Sequence, residues 1–266
     1  MNAVTEYYER YNEADRLTGT NTGRLEFMTT THLLDRHLDP GASILELGAG
    51  AGIYSLYYGA RGCRVTATDL SPKHVEQMVS RIAASGLEGR ISAEQADATN
   101  LSRYESESYD AVLCLGPMYH LTETEDRRRC AEEALRVLKP GGVLAVAYIN
   151  RSFIFPYLVK ESTSYLTESW MARIAEEGKI RSADEDCFWT DAYFHTPEEM
   201  ERMFADGKTV MLAHAAADGV GMMMEEVIDG LDAAQFEVWS RYHLKTCEEP
   251  SLLGISNHAL YLGRKI

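Results

Sequence analysis

The chain has 266 residues, of which 45% are hydrophobic, and a formal net charge of −15. That length and apolar content suit a single soluble domain with a full core. The acidic balance argues against a nucleic-acid backbone as the main partner, and no apolar stretch is long enough to span a bilayer.

The opening residues, Met1 to Glu6, lack a basic region followed by an apolar one, so no signal peptide is expected. Cys63, Cys114, Cys130, Cys187 and Cys247 are scattered and form no C-x-x-C pair. Neither a zinc site nor a disulfide framework is expected, and a reducing cytoplasm is the simplest compartment.

Residues 4–39 read as two helical pieces. The first carries Tyr7, Tyr8 and Tyr11, with Tyr7 and Tyr11 on one face. A break at Thr18-Gly19-Thr20-Asn21 precedes a second helix over 24–38, stopped by Asp39-Pro40-Gly41. Ile44 to Leu47 then form a short apolar run of the kind found in a strand buried on both faces. Gly48, Gly50 and Gly52 follow at alternate positions and permit a turn whose backbone approaches a ligand closely. A helix over 53–61 completes the first unit of a nucleotide-binding α/β sheet. The dinucleotide fingerprint G-x-G-x-x-G fails, because Ile53 stands at the third glycine, and no G-K-[ST] follows for a P-loop.

The next strand, 63–69, ends in Asp69, a position from which a carboxylate can accept two hydrogen bonds from a ribose diol. Ser71-Pro72 start a helix over 72–85. Strand 90–95 is followed by Asp97, and a buried run over 109–115 opens into Gly116-Pro117-Met118-Tyr119-His120-Leu121. A helix over 124–138 is expected to start with a Thr122…Glu125 capping box and to carry Arg127-Arg128-Arg129 on a solvated face. Lys139-Pro140-Gly141-Gly142 turns into a strand over 143–149. This alternation argues a parallel sheet with right-handed crossovers.

Residues 150–195 are rich in aromatics among charged residues and read as a helical insertion over the strand ends. It would form an acceptor pocket, a satellite core, or both. Thr196-Pro197-Glu198-Glu199 is a helix start. A strand over 208–216, a helix opening at Met222, a last helix over 233–247 and a final strand over 256–264 complete the chain.

The E-x-G-x-G-x-G stretch over 46–52, with Asp69, Asp97, Asp110 and the Lys139-Pro140-Gly141-Gly142 turn in order behind it, resembles the class I S-adenosylmethionine-dependent methyltransferases. The tyrosine-rich first helix, G-P-M-Y-H-L at 116–121 and N-H-A-L-Y-L-G-R-K at 257–265 resemble a bacterial small-molecule subgroup. The resemblance implies one domain over 1–266 with a Rossmann-like α/β fold. A seven-stranded, mostly parallel sheet would carry helices on both faces. An N-terminal helical lid would occupy 1–40, the cofactor-binding core 41–149, a helical insertion 150–195, and the rest of the sheet 196–266, its final strand antiparallel at the edge. The implied cofactor is S-adenosyl-L-methionine. Glu46, Gly48, Ala49, Gly50 and Gly52 would surround its methionine and ribose parts. Asp69 and Leu70 would lie at the ribose, Asp97 and Ala98 at the adenine, and the Leu115 backbone at the amino acid moiety. Tyr8 and Tyr11 would close over it from the lid.

Methyl transfer from a sulfonium is an in-line displacement whose main demands are alignment and exclusion of water. A base is needed only where the acceptor must lose a proton. At the end of the fourth strand the candidates are His120, for a proton, and Tyr119, for contact with the methyl or acceptor. A capping role for the histidine and a packing role for the tyrosine are the plainer alternatives. Gly116-Pro117-Met118-Tyr119 lacks the Asp or Asn that base-methylating enzymes place before proline. Leu115 and Gly116 offer no acid for a catechol-type metal, and His195, His214 and His258 have no ligand-like spacing, so no metal is expected. The expected activity is methyl transfer to a small-molecule acceptor. Methylation of protein or RNA and binding without turnover are the alternatives, and a homodimer is compatible with the sequence.

Overall fold

In a computed structural model, residues 3–10, 15–205 and 207–266 are described. Tyr11 lies outside them. The sheet begins with β1 (Ser43–Leu47), β2 (Arg64–Asp69), β3 (Ile91–Gln95) and β4 (Tyr109–Cys114), and continues through β5 (Leu138–Ile149). A two-stranded ribbon, β6 (Lys179–Ile180) and β7 (Ala192–Tyr193), stands apart; β8 (Thr209–Ala216) and β9 (His258–Lys265) complete the main sheet. The seven strands run in the order β3-β2-β1-β4-β5-β9-β8. All neighbours are parallel except β9, which is antiparallel to both β5 and β8.

The final strand therefore does not lie at the sheet edge, as expected from the sequence. It is inserted between β5 and β8, which leaves β8 as the edge. Its apolar run, Ala259 to Leu262, is fully buried or nearly so, as a central strand requires.

Side chains alternate across the sheet with the period of two that a strand imposes. Ile44, Val65 and Leu113 face a core shared with α2 (Asn21–Leu34), α3 (Ile53–Ala60) and α4 (Pro72–Ala84). Leu45, Leu47, Val112 and Leu144 face the opposite core, shared with α5 (Thr124–Val137) and α8 (Pro197–Ala205). Each fully buried leucine contributes roughly 1.5–3 kcal/mol relative to exposure.

Helix ends depart from expectation where side chains choose other partners. Helix α2 starts three residues early because the Thr20 hydroxyl accepts from Gly23 N at 3.0 Å. The Thr122…Glu125 capping box is absent: Glu123 occupies the N-cap position of α5 without a side-chain capping bond, and Glu125 pairs with Arg128. Arg128 and Arg129 are exposed and paired with acids, but Arg127 is buried. It donates to Leu121 O at 2.7 Å and stacks 3.5 Å from the Tyr193 ring centroid. At 196–199 the box does form, with Glu199 N on Thr196 Oγ1 and Thr196 N on Glu199 Oε2.

The insertion holds α6 (Arg151–Glu161) and α7 (Glu168–Met171), but it is not wholly helical. Gly178, at φ +66°, ends a π-helical turn, and the chain enters the β6–β7 ribbon that buries Ile180 and Ala192. These join Phe153, Trp170, Ile174 and Phe194 in a core of their own above the carboxyl end of β5. Before β1, α1 (Ala3–Arg10) lies across the same edge of the sheet. Helices α9 (Glu225–Asp229), α10 (Ala233–Thr246) and α11 (Pro250–Leu253) fill the connection from β8 to β9.

Candidate active site

A cleft opens at the carboxyl ends of β1, β2 and β4, where open α/β sheets bind ligands. Gly48 and Gly50, at φ +66° and +55°, turn the chain immediately after β1. Close packing forbids a side chain at Gly48, since a Cβ there would come within 2.9 Å of Pro117 Cδ. Asp69 ends β2 and organises the turn: Oδ2 accepts from Gly50 N at 2.8 Å and Oδ1 from Ser71 N at 2.9 Å. His74 Nδ1 stands 3.2 Å from Asp69 Oδ1. At the far end Asp97 folds a turn, its Oδ1 accepting from Thr99 N and Thr99 Oγ1, both at 2.8 Å. Oδ2 is the oxygen left for a ligand. Gly48, Gly50, Asp69, Leu70, Asp97 and Ala98 all line this cleft, and Tyr8 of α1 covers it.

A narrower channel continues from the turn along Glu46, Ala49, Leu115 and Arg16. Glu46 is 1% exposed and accepts from Ser55 Oγ. Burial raises its pKa to about 7, helped by the nearby Asp69 and opposed by the Ser55 hydrogen bonds. Arg16 grips Glu26 of α2 with two nitrogens, at 2.6 and 3.1 Å. The Leu115 carbonyl already accepts from the Tyr119 hydroxyl at 3.1 Å. Gly52 borders none of this space. At φ +75° it starts α3, with Met78 Cγ 3.0 Å from where a Cβ would sit, so its smallness serves helix packing.

Beyond Tyr119 lies a third space of about 400 Å³, walled by aromatics from α1 and the insertion. Tyr7, Tyr157, Phe188, Trp189 and Phe194 line it, with Arg16, Asn257 and His258 as its polar groups. Tyr119 borders all three spaces. His120 sits at the same junction with both nitrogens engaged: Nε2 with the Tyr8 hydroxyl at 2.9 Å, Nδ1 with Asp191 O at 3.1 Å. Burial pulls its pKa down to about 4 against the pull of Asp191 and Asp69, so the ring is neutral near pH 7.

Residues 44–142 match the family model described as a methyltransferase domain. Over 233 residues the chain is 30% identical to 27-O-demethylrifamycin SV methyltransferase of Amycolatopsis mediterranei, covering 84% of this chain and 80% of that enzyme. The chain belongs to the class I S-adenosylmethionine-dependent methyltransferases. A ubiquinone biosynthesis O-methyltransferase of Xanthomonas oryzae pv. oryzae is 35% identical over 115 residues, 42% of this chain and 45% of that enzyme. The chain thus spans less than half of that second relative. Geranyl diphosphate C-methyltransferase from Streptomyces coelicolor, solved with S-adenosyl-L-homocysteine, superposes with a TM-score of 0.58. It covers 91% of this chain and 81% of its own at 15% identity, a likeness of fold.

For this methyltransferase, the glycine turn and the two aspartates lie around one cleft. Sequence reasoning missed the acceptor-side polar groups. Arg16, which lines both the channel and the aromatic cavity, sits outside any motif. His258 was set aside because it has no metal-ligand spacing, although a polar residue at the head of an apolar strand was a signal available in the sequence.

Proposed function

We propose that this methyltransferase moves the methyl group of S-adenosylmethionine to a hydroxyl oxygen of a small organic acceptor. The observation that carries the reading is Tyr119, whose side chain borders the cofactor cleft, its tail channel and the aromatic cavity at once. A methyl placed beside Tyr119 faces a cavity walled mainly by aromatic side chains, which favours alignment and limits water. A cavity of about 400 Å³ fits one small molecule rather than a polymer segment. The names of the rifamycin-type and ubiquinone-type relatives support oxygen as the acceptor atom.

In this reading Asp69 holds the ribose diol, Asp97 the adenine amino group, and Arg16 the carboxylate of the methionine tail. Glu46 and the Leu115 carbonyl face that tail's ammonium group. Helix α1 is a lid, latched by Tyr8 on His120. The proton-accepting role expected of His120 is the less supported one, since both its nitrogens are engaged and its basicity is low. A reducing cytoplasm and a homodimer complete the proposal. Five unpaired cysteines are compatible with the first, and sedimentation of the purified chain tests the second.

Calorimetric titration tests the cofactor assignment. S-adenosylmethionine and S-adenosylhomocysteine are expected to bind at one site per chain, and Asp69→Asn to weaken both. Unchanged affinity in that variant contradicts the ribose assignment.

A further inference from the structure

We propose that the aromatic cavity takes a hydroxylated aromatic compound, and that His258, oriented by Asp218, accepts the proton of its hydroxyl as the methyl arrives. This deepens the methyltransferase reading and rests on it.

The sheet topology brings the pair together. His258 is the first residue of β9 and pairs with Ile149, the last of β5. Because β9 runs against its neighbours, its start lies at the carboxyl edge, beside the acceptor cavity. Strand β8 ends at the same edge, and Asp218 follows two residues later. His258 Nδ1 lies 2.8 Å from Asp218 Oδ2. Asp218 is 2% exposed. Its Oδ1 accepts from Ser256 Oγ at 2.6 Å and from His258 N at 3.1 Å, so the carboxylate is fixed from two sides. With Nδ1 committed to a carboxylate, Nε2 is the nitrogen left for a ligand, and His258 lines the cavity. Its ring centroid is 6.5 Å from that of Tyr119, one side chain from the junction with the cofactor cleft.

Charged and titratable groups surround the imidazole. Helix α2 supplies Glu26, 3.4 Å from Nδ1. The segment before it supplies Arg16, paired to Glu26. Tyr119 faces the ring from the β4 end, and His243 of α10 stands behind Asp218. Burial lowers the His258 pKa, and Glu26 and Asp218 outweigh it, so the ring is more basic than usual. A more basic imidazole is a stronger proton acceptor. It matches a phenol better than an aliphatic alcohol, whose proton is far less acidic. The flat aromatic walls, Tyr157, Phe188, Trp189 and Phe194, favour a planar ring for the same guest.

The step balances. The O–H bond breaks and its proton goes to Nε2; the oxygen pair forms the O–CH₃ bond; the S–CH₃ pair returns to sulfur. Sulfonium and phenol become thioether and ether, and the positive charge ends on the imidazolium, which passes its proton to solvent.

The test uses the full chain saturated with S-adenosylhomocysteine and 4-nitrophenol as probe, whose phenolate absorbs where the phenol does not. At a pH where the free probe is mostly protonated, the wild-type complex is expected to raise the phenolate absorbance. His258→Asn is expected to lose that rise while S-adenosylhomocysteine affinity is unchanged. Asp218→Asn, which keeps the imidazole, is expected to shrink the rise and to move its pH midpoint. No rise with the wild-type complex overturns the proposal, as does a rise that survives in His258→Asn. Should that variant not fold, an unaltered midpoint and amplitude in Asp218→Asn overturns it instead. If S-adenosylhomocysteine does not bind the wild type at all, the methyltransferase reading itself fails.

Discussion

The two halves of the site are built in different ways. The cofactor side comes mostly from one stretch of chain, Glu46 to Leu121, with Tyr8 and Arg16 added from before it, and its polar residues stand at or beside the strand ends. The acceptor side is gathered from α1, the end of β5, the insertion and the first residues of β9. The first half is constrained by one fixed nucleoside and by backbone geometry that only glycine allows. The second is assembled from segments far apart in the chain, held by aromatic packing and by the Asp218–His258 contact. Tyr119 and His120 stand on the boundary.

Substitutions on either side should therefore separate cofactor affinity from acceptor affinity. The largest effect is expected from Asp69→Asn, which removes a charged acceptor from Gly50 N and, in the proposed reading, from the ribose. Loss of two charge-assisted hydrogen bonds at about 1.5–3 kcal/mol each predicts roughly a hundredfold or greater loss of S-adenosylmethionine affinity by calorimetry. Gly48→Ala should follow, since it puts a side chain at φ +66° and against Pro117. A cost of about 1–2 kcal/mol for the left-handed conformation, plus overpacking, should appear as a lower midpoint in urea unfolding.

Trp189→Ala probes the other side. Acceptor KM should rise about tenfold or more from lost aromatic contact, with cofactor affinity unmoved. If cofactor affinity falls equally, the two halves are not separable. Glu46 gives a smaller, pH-dependent effect. Its folded pKa, about 7, lies above the ordinary 4.5, so its stabilising contribution is complete below 4.5 and is lost as pH rises through 7. The cofactor's ammonium and sulfonium charges favour ionised Glu46, so affinity should rise about three- to tenfold from pH 6 to 8, and Glu46→Gln should flatten the slope. The smallest change is expected from Tyr8→Phe, which removes the hydroxyl that contacts His120. Cofactor dissociation in stopped flow should quicken by about threefold to tenfold, the worth of one hydrogen bond.

The same contrast explains what the sequence could tell. Ile44 to Gly52 was legible because strand, turn and helix follow in one window, and positive φ at Gly48 and Gly50 demands the residue that is written there. Asp69 and Asp97 were legible because one ends a strand and the other stands two residues past the end of the next. The place of β9 was not, because pairing order is decided by contacts between distant segments. Without it, Asp218 and His258 are two unrelated polar residues. Arg127 was misread as solvent-facing because its burial depends on Tyr193, from a ribbon that no local pattern announces. The aromatic content of 150–195 marked an enclosed space but not its polar groups, which arrive from elsewhere in the chain.

The most direct measurement is a crystal structure of the full chain with S-adenosylhomocysteine. The ribose is predicted on Asp69, the adenine at Asp97, and the sulfur beside Tyr119, pointing into the aromatic cavity. An adenosine seated elsewhere, a pyrophosphate over Gly48 and Gly50, or a sulfur turned away from that cavity would contradict the account.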